Sequence, residues 1–121
     1  MKKKSELSII TEAKKLVTYI LTITEKSDKK YRHTFVRKLH EISTEIVELL
    51  IYANYTEITD PKRKEYQKQA FVKLKVLDYY ANTANEVNCI LAKQYEFIAK
   101  SIYACENLLR GWVASDEKRK V

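Results

Sequence analysis

The sequence predicts an all-α fold, an antiparallel up-down-up-down four-helix bundle over a single domain, 1–121. Three observations predict it. Gly and Pro occur once each in 121 residues, against average usage of about 7% and 5%. Sheets and hairpins need such residues at their turns, so this chain has few turns and long elements. Hydrophobic residues make up 45% of it and charged residues 32%, enough for a core and a solvated surface. The apolar residues also recur three and four positions apart, the period of a helix with one buried face.

The first helix is predicted over 6–26. Leu7, Ile10, Ala13, Val17, Ile20 and Leu21 form its stripe, widened by Leu16 and Ile23. Ser27-Asp28-Lys29-Lys30 breaks it, with Asp28 a candidate N-cap for the next helix. The second helix is predicted over 30–53, where Phe35, Leu39, Ile42, Ile46, Leu49 and Ala53 make a heptad seam. Residues 54–60 read as a loop. Asp60-Pro61 then starts the third helix, 61–88, with Asp60 as N-cap and Pro61 in the first helical position. Its seam is Ala70, Leu74, Leu77, Ala81 and Ala84, small enough for a neighbouring helix to approach closely. The fourth helix is predicted over 93–115, with Tyr95, Ile98, Ile102, Cys105, Leu109 and Trp112 as its seam. Residues 116–121 show no apolar face and read as a basic tail that frays. Helices of about 20–28 residues span about 30–40 Å each. Matched lengths and short connections fit mutual packing in a bundle.

Not all apolar surface fits the seams. The nine tyrosines are many for this length, and Tyr52, Tyr55, Tyr79 and Tyr80 lie off the heptad positions. They serve either as half-buried walls of a thick core or as a second apolar face against another subunit. The second reading is the expectation, because tyrosine joins an apolar body to a polar tip. Trp112 is expected to plug the bundle end. Gly111 beside it is expected either to admit a neighbouring helix or to end the helix in a left-handed cap.

The net charge of +7 favours a polyanionic partner. In the predicted topology one end collects Lys2, Lys3, Lys4, Lys68, Arg110 and the tail, together with Lys62, Arg63 and Lys64. The other holds Lys26, Lys29, Lys30, Arg32, Arg37 and Lys38. Both clusters start helices, where the macrodipole disfavours cations by some tenths of a kcal/mol. Phosphate contact is a reason for them to stand there. Glu41, Glu45 and Glu48 form an acidic stripe on the second helix.

No site chemistry stands out. Cys89 and Cys105 have no metal spacing and read as small buried hydrophobes. His33 and His40 share a face but lack a third ligand, so no metal and no cofactor is expected. No apolar run reaches the length of a membrane span, and charged residues interrupt any signal-peptide core. The expectation is a cytoplasmic binding protein, not an enzyme.

Several segments carry a resemblance. These are Thr24-Glu25-Lys26-Ser27-Asp28-Lys29, Arg32-His33-Thr34-Phe35-Val36-Arg37-Lys38-Leu39, Tyr52-Ala53-Asn54, Leu74-Lys75-Val76-Leu77, Cys89-Ile90-Leu91-Ala92-Lys93-Gln94-Tyr95 and Leu108-Leu109-Arg110-Gly111-Trp112. Through them nearly the whole chain resembles the four-helix-bundle family of the accessory variability determinant proteins of diversity-generating retroelements. That family also contains the proteins encoded in intervening sequences of large-subunit ribosomal RNA. The tail Ser115-Asp116-Glu117-Lys118-Arg119 is similar to the retroelement branch. The chain departs from the pattern at Asp28 and Ala92, where Pro is expected, and at Arg110, where a small residue is usual. The resemblance implies a barrel-shaped homopentamer with a basic surface. It implies a reverse transcriptase as partner and binding to template-repeat or other structured RNA, with DNA as a further candidate. It implies support of RNA-templated, mutagenic cDNA synthesis, with no catalysis by the accessory protein itself. The competing reading is a structural or adaptor oligomer whose charge is incidental.

Overall fold

The computed structural model describes residues 4–120, and side chains from Ser8 onward. Four α-helices account for most of it: α1 (Lys4–Thr24), α2 (Arg37–Asn54), α3 (Pro61–Glu86) and α4 (Ala92–Arg119). No strand occurs among the described residues. α1 packs on α2 and α4, and α3 packs on the same two helices. The core between them is built from residues such as Ile9, Leu16, Leu39, Ile46, Leu74 and Ile98. No helix among the described residues is long and apolar enough to cross a membrane.

The α3 seam lies where the spacing puts it. Ala70, Leu74, Leu77, Ala81 and Ala84 are all fully buried. The α1 stripe is turned by one residue. Ile9, Ala13, Leu16, Ile20 and Thr24 face inward, while Leu21 is 44% exposed. Leu7, expected in that stripe, lies outside the described side chains. In α2 the inward residue is Leu50 and not Leu49. Adjacent apolar pairs cause both corrections, because either member satisfies the period and only packing chooses.

The helix ends explain the remaining differences. Asp28 Oδ1 accepts the Lys30 N–H at 3.0 Å and starts a 3₁₀ turn, Lys29–Tyr31. A five-residue π-helical turn, Arg32–Val36, then leads into α2, so the predicted continuous helix from residue 30 is α-helical only from Arg37. Asp60 Oδ1 accepts the Lys62 N–H at 2.9 Å, with Pro61 in the first turn of α3. α3 ends at Glu86, two residues earlier than predicted. Asn88 takes a left-handed φ of 66°. That turn sends the Cys89 N–H to Ala84 O at 2.7 Å and the Asn88 N–H to Asn85 O at 3.0 Å, the paired bonds of a Schellman cap. The first turn of α4 is closed by Gln94 Oε1, which accepts the Leu91 N–H at 2.9 Å.

The tail corrects the sequence reading most. α4 runs on through Arg119, and Asp116 is buried. Asp116 follows Trp112 by four, so it continues the seam with a carboxylate. Arg63 and Gln67, also buried, continue the α3 seam the same way. Arg63 donates to both Asp116 oxygens, from Nε at 2.7 Å and Nη2 at 2.9 Å. Gln67 Nε2 donates to Asp116 Oδ2 at 3.0 Å. Arg63 Nη1 reaches back to Thr56 O at 3.0 Å and Ala53 O at 3.5 Å, carbonyls at and just beyond the end of α2. The guanidinium also lies 5.2 Å from the Trp112 ring.

Candidate nucleic-acid interface

The connection between α1 and α2 carries the first basic cluster. Its own side chains tie it to the rest of the fold. Ser27 Oγ donates to Cys89 O at 2.7 Å, and the Tyr31 hydroxyl donates to Val87 O. Thr24 gives its proton to Ile20 O at 2.7 Å and lies 2.8 Å from His40 Nε2. A hydroxyl has one proton to give, so the His40 ring is the donor in that second bond. These bonds fix the turn to the α3–α4 connection and to α2, and the cations project from a braced segment.

Lys29, Lys30, Arg32, Arg37 and Lys38 are all exposed. Arg37 Nε pairs with Glu41 at 3.0 Å. Lys30 Nζ stands 5.2 Å from the Tyr31 ring centre, and Lys38 Nζ 5.8 Å from that of Tyr80. Lys29 and Arg32 have no acidic partner among the described residues.

The second cluster is built differently. Lys62 is exposed, but Arg63 is inside, committed to Asp116. That corrects Arg63 as a nucleic-acid contact: its donors already serve a carboxylate and two carbonyls. Lys64 pairs with Glu117 at 3.0 Å. Its hydrogen bond and the Lys120 charge hold the Glu117 carboxyl below the usual range. Arg119 lies 3.7 Å from Asp116 and Lys120 3.8 Å from Glu117. Asp116 and Glu117 thus pair with four of the cations at this end, Arg63, Lys64, Arg119 and Lys120. Lys2, Lys3 and the Lys4 side chain, expected at the same end, lie outside the described residues. α2 separates the two clusters by about 27 Å, so they do not merge into one patch.

The tyrosines divide as well. Tyr55, Tyr79 and Tyr52 are 78%, 67% and 57% exposed. Tyr52 lies against Tyr66, ring centres 5.6 Å apart, on the α2–α3 face. Tyr80 is half-buried and belongs to the basic cluster. A groove of about 490 Å³ is lined by His33, Phe35, Arg37, Lys38, Glu41 and Tyr80, with Thr34. Reading the sequence by charge alone missed His33, Phe35 and Glu41 as its walls. The signal was there: Arg37 and Glu41 are four apart on one helix face.

The expected plug is in place, since Trp112 is fully buried. Gly111 has neither expected role. It is helical and exposed, its φ is not positive, and a Cβ there would meet nothing within 4 Å. Cys89 and Cys105 are buried free thiols. Burial, then the Glu12 and Glu106 charges, push Cys105 up to about 12.

No family model and no curated protein matches this chain.

Proposed function

We propose that this chain is a non-catalytic, basic, oligomeric nucleic-acid-binding protein. In this reading it is the accessory partner of a retroelement reverse transcriptase, supporting RNA-templated mutagenic cDNA synthesis in the cytoplasm. The observation that carries the binding role is the braced α1–α2 turn and the start of α2, where Lys29, Lys30, Arg32, Arg37 and Lys38 are all exposed and, among the described residues, only Arg37 of these five forms an ion pair, with Glu41. The proposed architecture is the antiparallel up-down-up-down bundle. The start of α3 meets the end of α4 through Arg63 and Asp116. Further along α3, Asp78 accepts from Tyr95 near the start of α4 at 2.8 Å. Ser27 ties the α1–α2 turn to the α3–α4 turn. The retroelement assignment rests on the family resemblance carried by segments such as 32–39, 89–95 and 108–112.

Salt dependence tests the binding role. Affinity for RNA should fall by about 0.7–0.9 log units per log of salt for each phosphate contact. Reversing Arg32, Arg37 and Lys38 to Glu should weaken binding to all RNA sequences alike. Lys62→Glu is the matching change at the other cluster, since reversing Arg63 would break the buried pair. Absence of RNA binding at low salt rejects the role.

The exposed Tyr52, Tyr55 and Tyr79 favour a second reading, an oligomeric adaptor without a nucleic-acid role. Both readings require self-association. Light scattering should give about five times the 14.3 kDa chain mass, and a monomer at micromolar concentration removes both.

A further inference from the structure

The groove at the start of α2 offers more than charge. Tyr31, Phe35, Tyr80 and Tyr79 form a chain of rings in edge-to-face contact. Their centres are 6.2, 6.5 and 5.4 Å apart and their planes 71°, 61° and 85° from one another. Edge-to-face contact leaves ring faces that are not stacked on another ring. Over Tyr80 stands the ammonium of Lys38, a flexible exposed side chain, at 5.8 Å. The groove beside it, about 490 Å³, is at the scale of small-molecule sites. Arg37 and Lys38 border it, and the Glu41 carboxylate and the His33 ring supply polar edges.

An aromatic face with a cation above it and further cations beside it is how proteins hold unpaired nucleotides. The base stacks and the phosphate is neutralised. A duplex keeps its bases inside its own stack and can use only the cations. Resting on the reading of this turn as a nucleic-acid contact, we infer that the groove takes one unpaired nucleotide. Its base lies on the Tyr80 ring beneath Lys38, and its phosphate lies against Arg37. The protein thereby selects single-stranded over duplex nucleic acid. This moves Tyr80 from the self-association face to the ligand site.

The test uses two labelled probes of equal length, a short oligoadenylate and a blunt RNA duplex, titrated by fluorescence anisotropy at several salt concentrations. A surface acting by charge alone favours the duplex, whose charge density is higher and whose salt slope is steeper. The inference expects the reverse order at physiological salt. Tyr80→Leu should weaken oligoadenylate binding by about 5- to 100-fold, as removal of one stacking ring does, with duplex binding and the salt slope unchanged. Tyr80→Phe keeps the ring and should bind oligoadenylate like the parent. Circular dichroism and light scattering of both variants accompany the titrations. Equal weakening of both probes by Tyr80→Leu, or none, overturns the inference and leaves the phosphate contact standing. A change of oligomeric mass without a change of probe preference overturns it in favour of a contact between copies. Failure of the parent protein to bind either probe at low salt removes the binding role itself, and the inference with it.

Discussion

Arg63 and Asp116 stand 53 positions apart in sequence and 2.7 Å apart in space, both almost fully buried. The pair occupies seam positions at one end of an otherwise largely apolar core, with Gln67 and Trp112 as the next buried seam residues. Its strength is in completeness: Asp116 accepts from Arg63 and Gln67, and Arg63 also serves the end of α2. A buried pair contributes little net stability against apolar isosteres, but breaking one partner away is costly.

Asp116→Ala should therefore lower stability by about 3–5 kcal/mol, since it strands a buried guanidinium. Arg63→Met combined with Asp116→Leu removes both charges and should regain most of the loss. Urea melts measure both. An unmoved midpoint for Asp116→Ala would show that the pair is open to water.

Gly111→Ala should raise stability by about 0.5–1 kcal/mol. The residue is exposed inside a helix with empty space around it, so alanine brings only its better helix propensity. Loss of stability in thermal melts, growing with protein concentration, would place a second copy against that position.

Asn88 holds a left-handed conformation at φ 66°. Asn88→Val should cost about 1–2 kcal/mol, because a branched Cβ crowds the carbonyl there. Asn88→Gly should be neutral or slightly stabilising. Equal melting of the valine and glycine variants would contradict the cap.

Burial lowers the His40 pKa from its ordinary 6.5. Below that pH the unfolded chain takes up a proton that the folded chain resists. Stability should thus be level above about pH 6.5 and decline as the pH falls from there toward the folded value. His40→Gln should flatten that decline. The Glu117 contribution is lost at more acidic pH, where its depressed carboxyl protonates. A parent protein equally stable at pH 7 and pH 5.5 rejects the assignment.

Much of the fold could be read from periodicity, and its errors have two causes. The α3 register is pinned by Leu74 and Ala84, which have polar neighbours on both sides, although Phe71, Val76 and Tyr80 adjoin the other seam positions. Leu49 and Leu50, or Ile20 and Leu21, satisfy the same period, and only the neighbouring helix decides between them. A hydrophobicity rule also stops at the first polar residue. It ended α4 at residue 115 and assigned Arg63 to the surface, although counting on by three and four places Asp116, Gln67 and Arg63 in the interior. Charge marked the α1–α2 turn correctly as exposed. It could not show that Phe35 and Tyr80, 45 positions apart in the numbering, close a groove with Arg37 and Lys38.

Trp112 is the one tryptophan of the chain, and its indole nitrogen is buried with no hydrogen-bond partner among the described residues. Its ring lies beside the Arg63 guanidinium. The molecule thus carries a built-in optical reporter at one pole only. Indole emission follows the Arg63–Asp116 end, while tyrosine absorbance is weighted toward rings such as Tyr31, Tyr79 and Tyr80 at the other. Recording both during one unfolding experiment distinguishes a molecule that melts as a unit from one that comes apart pole by pole.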